Sequence, residues 1–260
     1  MIENTLNSKA RLIEIFSAIQ GEGLNVGTRQ IFIRFAMCDL RCKFCDSMHT
    51  WKIPASCYIE ETPGTRDFTE HSNPVSLPIL LEWVQKLNQP GLHDSISLTG
   101  GEPLLHGSFL VDFLPQLRQL TQLPIYLETG GHRIEELIMI LPYLDSIGMD
   151  IKLPSVSGED YWEIHQKFLS LCYESETEVF VKIIISDETK INELEQAANL
   201  ISECNINIPV FLQPVTPLVN VKNSPLAPLP EQVLEWQGLM KRRLKQVRVI
   251  PQTHKMINQM

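Results

Sequence analysis

"CDLRCKFCD", residues 38–46, decides how the rest of this 260-residue chain is read. It carries Cys38, Cys42 and Cys45 at C-x3-C-x2-C spacing, with no fourth cysteine nearby. Structural zinc takes four ligands, whereas a [4Fe-4S] cluster held by three thiolates keeps one iron open for chemistry. His49 follows Cys45 at C-x3-H spacing, so a four-ligand zinc site also fits the loop. The spacing alone leaves both readings open.

Immediately before this loop lies "QIFIRFA" (30–36), a short apolar, β-branched run that reads as a strand. Six more follow: "SISL" (95–98), "PIYLE" (124–128), "SIGMDI" (146–151), "VFVKIII" (179–185), "IPVFLQ" (208–213) and "QVRVI" (246–250). Amphipathic stretches of helical length separate them, at 77–87, 109–120, 133–141, 159–171, 190–202 and 231–244. Pro115 inside the second predicts a kink or an early break. An earlier run, "RLIEIFSAI" (11–19), is expected to pair with 30–36 across "QGEGLNVGTR". Repeated strand–helix units imply a mostly parallel sheet with right-handed crossovers and flanking helices. The count suits an α/β fold of incomplete (β/α) barrel type better than a closed eight-stranded barrel, with an open doubly wound sheet as the alternative.

The polar oddities fall where strands end: the cysteine loop, "TGGEP" (99–103), "ETGG" (128–131), "DIK" (150–152), "QPVT" (213–216) and "PQTHK" (251–255). Loops at the C-terminal ends of strands build the active site in barrels and open α/β sheets alike. Paired glycines in "TGGEP" let backbone approach a ligand closely, and Glu102 beside them offers a carboxylate to an ammonium group.

Composition bounds the partners. At 43% hydrophobic and 20% charged the chain is an ordinary globular protein, and a net charge of -9 lacks the basic footprint expected for nucleic acid. No apolar run reaches membrane-span length, and "MIENTLNSKARL" lacks a signal peptide's apolar core, so a cytoplasmic protein without a disulfide framework is expected. Cys57, Cys172 and Cys204 are read as ordinary core or surface thiols.

C-x3-C-x2-C followed by a "GGEP" strand end resembles the radical S-adenosylmethionine (SAM) superfamily. "IFSAIQGEG" (15–23), "IFIRFAMC" (31–38), "CDSMHTW" (45–51), "TGGEP" (99–103), "ETGG" (128–131) and "VIPQTHK" (249–255) narrow the resemblance. Together, and in order from residue 11 to 255, they are similar to the 7-carboxy-7-deazaguanine synthase family of queuosine and 7-deazapurine biosynthesis. The resemblance implies one radical SAM domain over 1–260, with an N-terminal strand and substrate loop at 11–28. It implies conversion of 6-carboxy-5,6,7,8-tetrahydropterin to 7-carboxy-7-deazaguanine with loss of ammonia. The radical arises at cluster-bound SAM, so no side chain is assigned as catalytic.

Residue roles follow from the same resemblance. Cys38, Cys42 and Cys45 would hold the cluster, and Ser47, standing where many relatives have threonine, would give a hydroxyl to Mg²⁺. Phe44, Cys45 and Asp46 would lie along SAM, with Gly101 and Glu102 at its methionine end. Asp150, Ile151 and Lys152 match a Ser-Pro-Lys cofactor stretch of relatives, and Gln213, Pro214, Val215 and Thr216 match another. Ile19, Gln20, Gly21, Glu22, Arg34 and Thr99 fall on substrate positions, and Gln252 and His254 would close the pocket. Arg34 suits a two-donor grip on the substrate carboxylate. A homodimer and an external one-electron donor such as flavodoxin are implied, with no nucleic acid or membrane partner. Residues 52–75, with Pro54, Pro63, Gly64 and Pro74, are read as a polar surface insertion loop. The rivals are a glycyl-radical-activating enzyme, which shares the cysteine spacing, and a non-enzymatic zinc-binding α/β module using His49.

Overall fold

In the computed structural model, which describes residues 8–175, 177–218, 221 and 224–259, the chain opens with β1 (Lys9–Ala10) and β2 (Leu12–Ile19). The segment 20–28 returns it as β3 (Arg29–Phe35), antiparallel to β2 as expected. Beyond the cysteine loop come β4 (Ser56–Glu60), β5 (Phe68–Ser72) and β6 (Val75–Ser76), the last pairing with β1. Helix and strand then alternate through α1 (Leu77–Leu87), β7 (Ser95–Gly100), α2 (Gly107–Thr121), β8 (Ile125–Thr129), α3 (Ile134–Ile140) and β9 (Ser146–Asp150). The short α4 (Pro154–Ser157) precedes α5 (Trp162–Glu174), β10 (Glu178–Ile185), α6 (Ile191–Cys204) and β11 (Val210–Pro214). The chain finishes with α7 (Pro230–Lys241), β12 (Val247–Val249) and α8 (Thr253–Met256).

All seven predicted strands lie side by side in chain order, β3-β7-β8-β9-β10-β11-β12, and all their pairings are parallel. β2, β4 and β5 extend this sheet beyond β3 to ten strands. The order ends at β12 and β5, which do not pair, so the barrel is incomplete and not closed. Among the described residues no helix is long and apolar enough to cross a membrane.

Strand residues alternate between two faces, and the alternation builds the site. Ile31, Ile33 and Phe35 of β3, Ile96 and Leu98 of β7, and Val181, Ile183 and Ile185 of β10 join the core cluster shared with the helices. On the other face the sheet carries Tyr126, Phe180 and Phe211, which pack together as a separate aromatic cluster. Moving two residues along each strand replaces these aromatics with Glu128, Lys182 and Gln213. The same face is therefore apolar near the strand starts and polar near their ends.

Three expectations need correction. Residues 52–75 are not a loop, because β4 and β5 form an antiparallel hairpin joined to the sheet through β2. Cys57 and Ile59 point into the core at 0% and 1% exposure, a two-residue period hidden by the polar residues around them. α2 is not broken at Pro115 but runs through it to Thr121. It buries Phe109, Leu110, Phe113, Leu114 and Leu117, each worth about 1.5–3 kcal/mol, which outweighs a proline penalty of about 3 kcal/mol. α5 starts at Trp162, three residues after the predicted 159, and is preceded by an Asx turn in which the Asp160 carboxylate accepts the Trp162 N–H at 3.1 Å.

Candidate active site

The charged strand ends and the cysteine loop face one cavity of about 580 Å³. β3 contributes Arg34, β7 Thr99, β8 Glu128, β9 Asp150, β10 Lys182 and β11 Gln213, and Cys38, Cys42 and Cys45 line the same cavity.

The cysteine loop is pinned at its root. Met37 takes a left-handed φ of 78°, donates its N–H to the Thr50 carbonyl at 2.7 Å and accepts from the Glu102 N–H at 2.8 Å. This contact explains the paired glycines. A Cβ at Gly101 would run into the Met37 carbonyl oxygen, and one at Gly100, where φ is 131°, into the Phe35 carbonyl oxygen. The doublet is required by chain packing under the cysteine loop, in addition to any approach by a ligand. Arg41 closes the loop by donating Nη1 to the Cys38 and Leu40 carbonyls at 2.7 and 2.6 Å, with its guanidinium over the Trp51 ring.

All six cysteines are free thiols. Burial pushes the Cys38 thiol up to about 11 and raises Cys42 and Cys45 as well. Bare thiolates are thus disfavoured here, and a bound cation would supply the missing charge, since a coordinating thiol is deprotonated outright. Among the described residues no three His, Cys, Asp or Glu side chains converge on a single metal ion. Cys38, Cys42 and Cys45 stand on one loop and line one cavity, a set that fits a [4Fe-4S] cluster held by three thiolates.

Polar side chains crowd the rest of the wall. Glu102, 1% exposed, accepts from the Gly130 N–H at 2.8 Å, the Leu104 N–H at 3.1 Å and the Thr129 hydroxyl at 2.9 and 3.0 Å. Burial raises its carboxyl, and these donors, with His132, pull it back in part. Glu128 accepts from Gln20 Nε2 at 2.6 Å and from the Thr99 hydroxyl at 2.9 Å. Asp150 pairs with Lys152 at 2.6 Å and Lys182 at 3.3 Å, and Lys182 also pairs with Glu22. Gln213, 3% exposed, lines the cavity with its Oε1 buried and unpartnered, an acceptor ready for a ligand's donor. Ser47 donates its hydroxyl to Asp46 at 3.2 Å, placing two oxygen donors together at the rim.

The C-terminal segment closes over this wall. Gln252 Nε2 donates to Glu22 at 2.8 Å and to Asp46 at 2.9 Å, and Lys255 reaches Asp46 at 2.6 Å. Thr253 donates its N–H to the Gly21 carbonyl at 3.0 Å, tying the segment to the loop between β2 and β3.

The cavity brings together Phe44, Asp46, Ser47, Gly101, Glu102, Lys152 and Val215 with Ile19, Gln20, Gly21, Glu22, Gln252 and His254. Three predicted residues lie outside it. Ile151 is 1% exposed and packs in the helix-side core, and Pro214 and Thr216 do not line the wall, Thr216 being exposed. Sequence reasoning passed over Glu14, Glu128, Lys182 and Lys255, which do line it. Lys182 had a signal, as the lone charge inside "VFVKIII", because an unpaired buried charge is too costly to be incidental. Glu128 stands at the head of "ETGG", and its parity with Tyr126 marks the cavity face.

Comparison with known proteins identifies the family. The family described as the radical SAM superfamily matches residues 32–206. The chain is 44% identical to a 7-carboxy-7-deazaguanine synthase of Geobacter sulfurreducens, across 96% of this chain and 98% of that protein. It is 31% identical to one of Methanocaldococcus jannaschii, across 81% and 85%. Its structure resembles that of QueE from Escherichia coli with a TM-score of 0.59 over 93% of both chains, at 18% identity, a likeness of fold.

Proposed function

Since the chain belongs to the 7-carboxy-7-deazaguanine synthase family of radical SAM enzymes, we propose that it converts 6-carboxy-5,6,7,8-tetrahydropterin to 7-carboxy-7-deazaguanine with loss of ammonia, acting as a carbon–nitrogen lyase. The single observation that carries this reading is the meeting of the cysteine triad, the "QGEG" loop and the "PQTHK" segment around one cavity. A glycyl-radical activase calls for neither of the last two, and a zinc module has no use for a charged cavity.

Cys38, Cys42 and Cys45 would hold a [4Fe-4S] cluster, with Glu102, Lys152 and Gln213 around SAM. The cluster and SAM supply, when bound, a 5′-deoxyadenosyl radical able to remove a hydrogen atom from the substrate. The chain's own part is binding and exclusion of water. Gln20 and Glu22 read the pterin's amino–amide edge, and Arg34 meets its carboxylate. Ser47 would give a hard hydroxyl oxygen to Mg²⁺. One sheet running from β12 to β5 supports a single domain. A homodimer in the cytoplasm, reduced by a donor such as flavodoxin, belongs to the same reading.

Anaerobic reconstitution with iron and sulfide, followed by turnover of carboxypterin with SAM and a strong reductant, tests it. Cys38→Ala, Cys42→Ala or Cys45→Ala should abolish iron binding and product, while His49→Ala and Cys204→Ala should keep both. Iron lost in His49→Ala would revive a four-ligand site.

A further inference from the structure

Lys182 stands at the centre of β10, flanked by Val181 and Ile183, and its ammonium projects into the cavity between Glu22 and Asp150. The two carboxylates do not need it equally. Asp150 already has Lys152 at 2.6 Å on its other oxygen. Among the described residues Glu22 has no cationic partner other than Lys182, and its second oxygen accepts from Gln252. The β10 lysine therefore serves mainly the substrate loop.

We propose that Lys182 is a positioning residue that holds Glu22 as an oriented carboxylate, so that the cavity selects a ligand edge with two adjacent N–H donors. This rests on the carboxypterin reading above and adds to it a source of specificity. A carboxylate has about four lone-pair sites, and with one taken on each oxygen by Lys182 and Gln252, one site on each oxygen remains for the ligand. The amino and ring N–H groups of a 2-amino-4-oxopyrimidine match that pair. A neutral carboxyl would present a donor to a donor.

The surroundings make the lysine necessary. Asp46 from the cysteine loop and Glu128 from β8 bring negative charge toward Glu22, Asp150 from β9 shares its lysine, and Tyr126 from β8 and His254 from the C-terminal segment lie beside it. Burial raises the Glu22 carboxyl, and Lys182 with Gln252 brings it below its ordinary value. Without the ammonium, only the Gln252 hydrogen bond opposes burial and the neighbouring carboxylates, and the Glu22 carboxyl rises so that it is more readily protonated as pH falls.

The test uses the reconstituted holoenzyme and measures KM for carboxypterin, Kd for SAM and their pH dependence. Lys182→Met should raise KM at least about tenfold near neutral pH, and further as pH is lowered toward about 6. Kd for SAM should change less than about threefold, since Asp150 keeps Lys152. Lys182→Arg should restore most of the affinity and remove the added pH dependence. Glu22→Gln should lose affinity independently of pH, and adding Lys182→Met to it should cost almost nothing more. That double variant buries no unpaired Glu22 carboxylate, so it and Lys182→Arg keep the test decisive if Lys182→Met does not fold. A flat pH profile in Lys182→Met, a matching loss of SAM affinity, or full additivity in the double variant would overturn the role of Lys182. A wild-type enzyme that cleaves SAM but leaves carboxypterin unchanged would instead overturn the functional reading.

Discussion

Arg34 lines the cavity, donates Nε to Glu14 at 2.7 Å and lies over the Phe16 ring, which holds the guanidinium in place. Glu14 and Arg34 are directly opposed across the β2–β3 pair, so the strand register sets this geometry. Arg34→Ala should weaken carboxypterin binding by about 1.5–3 kcal/mol, the worth of a hydrogen bond to a charged group, and leave SAM binding in place. Arg34→Lys should rescue only part, because an ammonium lacks the planar fork. Equal loss of SAM affinity in calorimetric titrations would place Arg34 at the cofactor. At this scale the sequence was legible wherever a loop looked unusual, as at Cys38 or Glu102. It was less so for Glu14 and Glu128, which act from within strands. Their orientation depends on strand parity and on which face carries the helices, and both are properties of the assembled sheet.

The β4–β5 hairpin shows what an element can hide. Glu60, 1% exposed at the end of β4, accepts the Ser17 N–H of β2 at 2.8 Å and the Arg66 N–H of the hairpin turn at 2.9 Å. Arg66 in turn donates to the Asn258 carbonyl, and Arg29 Nη2 to the Pro63 carbonyl at 3.1 Å, so the turn braces both the C-terminal segment and β3. Glu60→Ala leaves the buried Ser17 N–H unmet and should destabilise the fold by about 1–3 kcal/mol. Denaturant melts check this, and an unchanged midpoint would show that the hairpin is a passive insertion. The parallel strands were legible because their apolar runs are continuous, as strands buried on both faces are. The hairpin was not, because β5 lies at the sheet edge, and an edge strand is kept polar.

Across the whole molecule, buried histidines tie stability to pH, and His165 is the most deeply placed. His165 on α5 is 0% exposed and lies 3.1 Å from the Gly130 carbonyl. Burial lowers its pKa to about 4, although that carbonyl pulls the other way. Below about 6.5, the value of a free histidine, the unfolded chain binds a proton that the fold refuses. Stability should therefore fall as pH drops from about 6.5 through about 4, by roughly 3 kcal/mol for this group. His165→Gln should show a shallower loss in melts across that range, and parallel curves would exclude His165 as a source. The sheet, the cysteine loop and the C-terminal closure converge on a cavity suited to radical chemistry on a pterin. Turnover of 6-carboxytetrahydropterin deuterated at C6 tests that claim most directly, by mass spectrometry of the nucleoside and amino-acid products. The account predicts deuterium in 5′-deoxyadenosine or recovered SAM together with 7-carboxy-7-deazaguanine. Product or SAM cleavage without any transfer of deuterium would contradict it.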